Sequence, residues 1–191
     1  MKKTAARVIA ALLALILLFS LCFFLLPLTE TVRRVPVSGS ADWMKRLPND
    51  FVLSDILIPG THDSATRYVQ LPWFSKCQDL SISEQLEAGY RYLDIRLGDV
   101  KKGADYPPLM HGFTKCKTRP LGGTLTLDQV LADCYGFLNQ HPSETILFAV
   151  KHEHGDAPVA QVQGRAAKYM AMRNCRGRCL HRPAVYLNPQ A

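Results

Sequence analysis

The chain has 191 residues, 48% of them hydrophobic, and a formal net charge of +7 at neutral pH. This apolar share is ordinary for a globular protein, and about 160 residues outside the N-terminal apolar segment are enough for one modest domain. The Lys and Arg residues are scattered rather than clustered among aromatic residues, so we expect no nucleic-acid partner.

An apolar segment near the N-terminus, Val8 to Leu28, decides the expected compartment. It exceeds the ~7–15 residues of a signal-peptide core and matches the about 20 residues of a membrane-spanning helix. Basic residues precede it within 1–7, a cytoplasmic basic region, and no clear cleavage site follows it. We predict a membrane anchor over 8–28 with an extracytoplasmic remainder. A removed signal peptide, which would give a secreted protein, is the alternative.

Residues 29–41 are polar and read as a linker, so the domain is expected to span 42–191. A short helical turn follows the linker, and its Trp43 and Met44 are expected to pack on the core. A contact with the membrane is the alternative use of these two side chains.

The cysteines matter because disulfides persist in the oxidising compartments that exported proteins reach. Cys77 and Cys116 are one possible disulfide pair. Cys175 and Cys179 have no second ligand pair at metal-site spacing, so a local disulfide or two free thiols are favoured over a zinc site.

The domain opens with an apolar run at 56–58, which predicts a buried strand that Pro59-Gly60 interrupts. Four polar residues, 61–64, follow directly, where the backbone leaves the strand. Further along, Trp73 and Phe74 stand side by side in an irregular segment. They are expected either to cap the core or to enter a lipid interface.

A capping-box pattern at Ser81 predicts a helix that Gly89 ends. The segment Tyr92 to Leu97 alternates apolar and polar residues, which predicts a strand. The alternation places Asp94 and Arg96 together on one face of that strand.

The second part of the domain repeats this order. A short apolar approach leads to His111 and Gly112, a second capping pattern begins a helix that runs to His141-Pro142, and an apolar run predicts a strand over 145–150, covered on both faces. Composition predicts a further helix over 157–172. The alternation of strands and helices predicts an α/β fold with a mostly parallel sheet.

Polar groups mark the ends of four predicted strands. They are His62 with Asp63, Asp94 with Arg96, His111, and Lys151 with Glu153. Side chains at the same end of parallel strands converge in one cleft. Two imidazoles suit proton transfer at a phosphate centre, and a guanidinium suits binding of the phosphoryl oxygens. We therefore predict a phosphoryl-transfer site with His62 as the base, and interpret His141, His154 and His181 as surface or capping residues.

Three motifs now point to a family. IPGTHDS at 58–64, LDIR at 93–96 and LMHG at 109–112 resemble, in this order, the catalytic X region of phosphatidylinositol-specific phospholipase C, in particular its bacterial, metal-independent branch. The resemblance runs from about Trp43 to Glu153. It implies a distorted (β/α)8 TIM-barrel-like fold and cleavage of a lipid phosphodiester by the inositol 2-hydroxyl, giving diacylglycerol and a cyclic inositol phosphate.

The resemblance also implies roles for single residues. His62 matches the general base, His111 the general acid and Arg96 the phosphate-binding arginine. Asp63 matches the carboxylate that assists proton transfer to the leaving group, and Asp94 the carboxylate that supports the site. Lys151 matches a substrate-binding lysine at the fourth strand end.

The positions of Arg96 and Lys151 also indicate whether the site needs a metal ion. In the calcium-dependent branch of the family, carboxylates stand where this chain has Arg96 and Lys151. Fixed positive charges there would repel a divalent cation. We predict no metal requirement and no cofactor.

Only four strands are predicted where a full barrel has eight, and the tail from Asn174 to Ala191 shows no predicted fifth strand. We therefore expect about the first half of the barrel, in a truncated gene product. The expected partner is a phosphoinositide or glycosyl-phosphatidylinositol lipid at a membrane surface, and the expected state is a monomer. The alternative function is a non-catalytic, membrane-tethered half-barrel that binds anionic headgroups. Glycerophosphodiester hydrolysis is weaker, because its usual His-Arg-Gly motif is absent.

Overall fold

The computed structural model describes residues 2–25, 40–158, 161, 164 and 184–187. Its helices are α1 (Lys2–Leu25), α2 (Pro72–Ser75), α3 (Ile82–Glu87) and α4 (Leu127–Gln140). Its strands are β1 (Gly60–Thr61), β2 (Tyr92–Gly98), β3 (Met110–His111), β4 (Thr114–Lys115), β5 (Leu147–His154) and β6 (Ala184–Leu187). Short 3-10 turns lie at Met44–Arg46 and Leu53–Asp55.

A parallel sheet of the order β1-β2-β5-β6 is the centre of the described fold. Strand β2 keeps the predicted alternation, since Leu93, Ile95 and Leu97 are fully buried and Asp94 and Arg96 share the other face. On β5, Phe148 and Val150 are buried while the alternate residues are only half-buried, so one face rather than both is fully covered among the described residues. The predicted α/β class with a parallel sheet is confirmed.

Both predicted helix starts are present as capping boxes. The Ser81 backbone N–H donates to Glu84 Oε2, and the Glu84 N–H donates back to Ser81 Oγ. At the start of α4, the Thr126 N–H donates to Gln129 Oε1. Helix α3 gives way at Gly89, whose φ of 98° suits glycine. These caps fix where each helix begins and therefore which face it turns to the core.

A fully buried ion pair, Arg91 with Glu144, holds the end of the sheet away from the site. The Arg91 Nε lies 2.9 Å from Glu144 Oε2, and Arg91 Nη2 donates to the Ala41 carbonyl at 2.7 Å. The Met44 N–H donates to Glu144 Oε1 at 2.9 Å. Met44 is buried, so the prediction that this segment packs on the core is confirmed.

The first predicted strand is wrong. The run 56–58 forms no strand, and Leu57 is 98% exposed. Strand β1 lies after the Pro-Gly break instead, with Gly60 opposite Tyr92 in register. A Cβ at Gly60 would lie 3.0 Å from the Tyr92 Cβ, so the close approach of these strands favours a glycine there.

Two further elements differ from the prediction. His111 lies on a short antiparallel hairpin of β3 and β4, not at the end of a parallel strand. The tail does supply a further strand, since β6 pairs in parallel with Leu147–Val150 of β5. Four residues carry too little local signal to predict such a strand, because the neighbouring strand provides its hydrogen bonds. The helix predicted over 157–172 lies largely outside the described residues.

The cysteine prediction is also corrected. Cys22, Cys77, Cys116 and Cys134 are free thiols, so the possible pair of Cys77 with Cys116 is not bonded. Cys116 is fully buried in the core while Cys77 is exposed beside the site. The pair in the tail lies outside the described residues.

The N-terminal apolar segment is the long helix α1. Its stretch Lys3–Phe23 is long and apolar enough to cross a membrane, as a signal sequence also can be. Near its end, the Phe23 ring stacks on Trp73 of α2 with centroids 4.6 Å apart. Whether the segment is an anchor or a removed signal stays a prediction.

Candidate active site

A cleft of about 440 Å³ opens beside strands β1, β2 and β5 on the polar face of the sheet. Its lining residues are Gly60, Thr61, His62, Tyr92, Asp94, Arg96, Ala149, Val150 and Lys151. Three of the four predicted strand ends that carry polar residues therefore meet at this cleft.

The turn after β1 is fastened to β2 by its backbone. The N–H groups of Asp63 and Ser64 donate to the Asp94 side chain and carbonyl, at 3.1 and 3.0 Å. The Asp94 N–H returns a bond to Ser64 Oγ at 2.9 Å. Asp63 has a φ of 48°, a left-handed conformation that aspartate tolerates better than most residues, and it is 1% exposed.

Gln85, which sequence reasoning missed, supports this turn from behind. It is fully buried on α3, where its Oε1 accepts from Thr61 Oγ1 at 2.6 Å and its Nε2 donates to the Ser64 carbonyl at 2.8 Å. The available signal was a glutamine beside Leu86 on the apolar face of a well-capped helix. A buried amide in that position needs polar partners, and the turn after β1 supplies them.

Arg96 lies at the centre of a set of carboxylates. Its Nε is 3.1 Å from Asp94 Oδ2 and 3.0 Å from Asp63 Oδ1, and its Nη1 is 3.1 Å from Glu153 Oε1. Burial works against its charge, but the hydrogen bond and charge of Asp94, then the charges of Asp63 and Glu153, raise the pKa of Arg96 above its ordinary value. The guanidinium is therefore a fixed positive charge in a fixed orientation.

His62 stands over this network and is 66% exposed on its side chain. Its Nδ1 lies 3.2 Å from both Arg96 Nη2 and Asp94 Oδ2, and its Nε2 lies 3.2 Å from Asp63 Oδ2. A substrate that enters the cleft can reach an imidazole this exposed, as a general base requires.

His111 reaches the same carboxylate from the hairpin. Its Nδ1 lies 2.7 Å from Asp63 Oδ2, so the ring is oriented with Nε2 available for proton exchange. Burial raises the pKa of Asp63, against the opposing effects of Arg96 and His111. Two imidazoles and one guanidinium thus share a single buried aspartate.

Glu153 joins the hairpin to the sheet, a role that sequence reasoning did not assign. Its Oε1 accepts from the Gly112 N–H at 3.1 Å and from Arg96, and its Oε2 lies 3.2 Å from Lys151 Nζ. Burial opposes its ionisation, but the Gly112 bond and the neighbouring cations lower the pKa of Glu153. The signal was the Lys-x-Glu alternation on β5, whose Lys151 is paired in register with Arg96.

All six residues predicted for the site lie in this network or its cleft. They are His62, Asp63, Asp94, Arg96, His111 and Lys151. His141 lies elsewhere, where it caps α4 and pairs with Asp42 at 2.8 Å. His154 is exposed at the end of β5, and His181 lies outside the described residues.

Three aromatic side chains of the domain are largely exposed. Trp73 and Phe74 of α2 are 48% and 77% exposed, and Phe113 in the hairpin is 71% exposed. The expectation that Trp73 and Phe74 cap the core is wrong, because α2 buries only Pro72 and Ser75. Trp73 instead stacks on Phe23 of α1, and contact of these side chains with a lipid interface stays a prediction.

The fold and the site together define a class: a TIM-barrel-like α/β fold with histidines, carboxylates and an arginine around one cleft. Solved structures agree on the fold. The phosphatidylinositol-specific phospholipase C of Listeria monocytogenes matches 71% of this chain and 46% of its own, with a TM-score of 0.54 and 28% identity. A mutant of the enzyme from Staphylococcus aureus matches 78% and 52%, with a TM-score of 0.61 and 21% identity.

Curated relatives in sequence support the same family, although no family model matches the chain. The 1-phosphatidylinositol phosphodiesterase of Listeria monocytogenes is 32% identical over 154 residues, covering 74% of this chain and 44% of the relative. The human PI-PLC X domain-containing protein 2 is 30% identical over 142 residues, covering 59% and 44%. The chain is thus a homologue of phosphatidylinositol-specific phospholipase C that spans less than half the length of these relatives, and the resemblance drawn from its motifs is confirmed.

Proposed function

We propose that the protein cleaves the phosphodiester bond of phosphatidylinositol-type lipids and releases diacylglycerol and a cyclic inositol phosphate. One observation carries the proposal: His62 and His111 both contact Asp63 Oδ2, at 3.2 and 2.7 Å, beside the Arg96 guanidinium. Two proton-transferring groups and an anion-binding group are what an internal displacement at phosphorus needs.

The proposed reaction proceeds by proton transfer at both ends of the phosphate. His62 removes the proton of the inositol 2-hydroxyl as that oxygen attacks phosphorus. His111, held by Asp63 at Nδ1, delivers a proton from Nε2 to the glycerol oxygen as its bond to phosphorus breaks. The ring closes between two inositol oxygens, and diacylglycerol leaves with its hydroxyl restored.

Arg96 is proposed to bind the phosphoryl oxygens in this reaction. Its orientation is set by Asp94 and Glu153, so no reorganisation is needed when charge builds on the phosphate. Lys151, 42% exposed at the edge of the cleft, is proposed to contact the substrate.

The proposed setting is a membrane surface. The apolar helix α1 and the exposed aromatic side chains of Trp73, Phe74 and Phe113 support a domain that works at a lipid surface. Lipid headgroups and glycan-anchored proteins present the same inositol phosphodiester, and both fit the proposal. Monomeric action without nucleic acid remains a prediction.

Turnover of phosphatidylinositol vesicles by the full chain tests the proposal. We expect His62→Ala and His111→Ala each to lower the rate by about 10²–10⁴-fold, the usual worth of a general acid or base. His141→Ala is the matched control, since His141 caps α4 away from the cleft, and it should keep the rate. Vesicle binding by a folded protein that never turns over lipid would contradict the proposal and favour a non-catalytic headgroup-binding module.

A further inference from the structure

Cys77 lies beside the proposed catalytic groups, and the reaction above gives it no part. Its Sγ is 3.9 Å from His111 Nδ1 and 4.0 Å from Asp63 Oδ2. Its backbone N–H donates to Thr66 Oγ1 at 3.1 Å, which fixes the segment that carries the thiol. Cys77 and His62 are both exposed, so the place is open to an ion from solvent.

The donor atoms of His62, Asp63 and Cys77 lie close enough together to reach one metal ion. All three lie within 4.8 Å of one another, with His62 Nε2 at 3.2 Å and Cys77 Sγ at 4.0 Å from Asp63 Oδ2. Zinc bonds of about 2.0–2.3 Å place neighbouring ligands about 3.3–3.6 Å apart. Small rotations of two exposed side chains close the difference.

Charge does not oppose a cation here. Arg96 and Lys151 face three carboxylates, from Asp63, Asp94 and Glu153, through direct ion pairs. The repulsion expected from the sequence counts the two cations alone. With their partners included, these five side chains carry a net charge of −1.

We propose that His62, Asp63 and Cys77 form an inhibitory site for Zn²⁺. A thiol with an imidazole and a carboxylate is a donor set typical of zinc, whereas Ca²⁺ and Mg²⁺ prefer six or more oxygens. On binding, the thiol releases its proton to solvent and the thiolate bonds the metal, while His62 Nε2 donates its lone pair. The base is then occupied, and Asp63 Oδ2 no longer orients His111.

Direct binding of zinc decides the site without reference to turnover. We would titrate the reduced full chain carrying Cys175→Ser and Cys179→Ser with ZnCl₂ by calorimetry, so that thiols of the tail take no part. We expect one zinc per chain, and at least about tenfold weaker binding after Cys77→Ser. Cys22→Ser, which removes a thiol far along the chain in α1, should leave the affinity unchanged.

Cobalt gives a second readout that a structural effect of the substitution would not produce. Co²⁺ bound through Cys77 should show a near-ultraviolet thiolate charge-transfer band that Cys77→Ser abolishes. Absence of stoichiometric zinc binding, or equal affinity with and without Cys77, would overturn the proposal.

Inhibition rests on the proposed function and is tested separately. We expect zinc to suppress lipid turnover, a chelator to restore it, and Cys77→Ser to turn over lipid while resisting zinc. Turnover by the parent chain that saturating zinc leaves unchanged would overturn the inhibitory role. A chain that binds zinc through Cys77 but never turns over lipid would contradict the proposed function and leave the metal site standing.

Discussion

Asp63 is the residue on which the arrangement of the site depends. Its Oδ2 contacts both imidazoles, its Oδ1 faces Arg96, and its backbone takes a left-handed conformation. A side chain of another length or shape at this position would lose at least one of these contacts.

Asp63→Asn should therefore separate charge from shape. We expect turnover to fall by about 10²–10⁴-fold, because the amide cannot hold both imidazoles as the carboxylate does. Burial raises the pKa of Asp63, so the folded protein favours the ionised carboxylate less than the unfolded chain does near neutral pH. Removing the charge with Asn should therefore leave the melting temperature unchanged. Asp50→Asn, on an exposed residue, is the control; a large loss of folding with Asp63→Asn would contradict this account.

Glu153 should make the free energy of unfolding depend on pH in the acid range. Its pKa is lowered in the folded protein, so its stabilising effect is present above the ordinary pKa of 4.5 and is lost as pH falls through the folded value. We expect Glu153→Gln to flatten the fall of the unfolding free energy below about pH 4.5, measured by urea denaturation at stepped pH. If the unfolding free energies of parent and variant fell in parallel as the pH is lowered, the result would contradict the network around Arg96.

At this scale the sequence predicts those residues whose type and neighbours suggest chemistry. His62, Arg96 and His111 follow from motifs beside predicted strands. Gln85 does not, and Glu153 is predicted only as a polar group at a strand end, because a polar residue on a helix or strand looks the same whether it meets solvent or a buried partner.

At the scale of elements, local signals succeeded where an element carries its own pattern. The alternation of β2 and the capping boxes of α3 and α4 depend on residues within a few positions of one another. They failed for β1, for the hairpin and for β6, whose hydrogen bonds come from segments distant in sequence. Short strands of two to four residues exist only with their partners.

The cap of α3 should contribute measurably because this helix holds Gln85 behind the site. Ser81→Ala removes the Ser81 Oγ that accepts from Glu84 N–H, and we expect the free energy of unfolding to fall by about 1 kcal/mol. Ser54→Ala, on an exposed residue in a 3-10 turn, is the matched control. Equal urea midpoints for the two variants would show that the cap adds nothing.

At the scale of the whole molecule, the buried pair Arg91 and Glu144 ties the segment from Ala41 to Met44 to the sheet, at the end away from the cleft. Removing one partner leaves an unpaired buried charge, so we expect Glu144→Gln to cost about 3–5 kcal/mol of unfolding free energy. The double change Arg91→Met with Glu144→Leu should recover much of that loss. If the single variant were as stable as the parent, the pair would not hold the segment.

At the scale of the whole molecule, the relatives support the fold of this chain rather than its activity. The described sheet matches enzymes with a TIM-barrel-like fold, and this chain spans less than half the length of the curated relatives it matches. The proposed activity therefore rests on the site itself, where the described residues bring base, acid and anion-binding group around one aspartate.

The first product formed from phosphatidylinositol tests this account most directly. Phosphorus NMR of vesicles incubated with the full chain and a chelator, in water labelled with heavy oxygen, follows that product. We predict an unlabelled cyclic inositol phosphate, formed by internal attack without a metal and absent with His62→Ala or His111→Ala. A phosphomonoester that carries solvent oxygen as the first product, or turnover that the chelator abolishes, would contradict it.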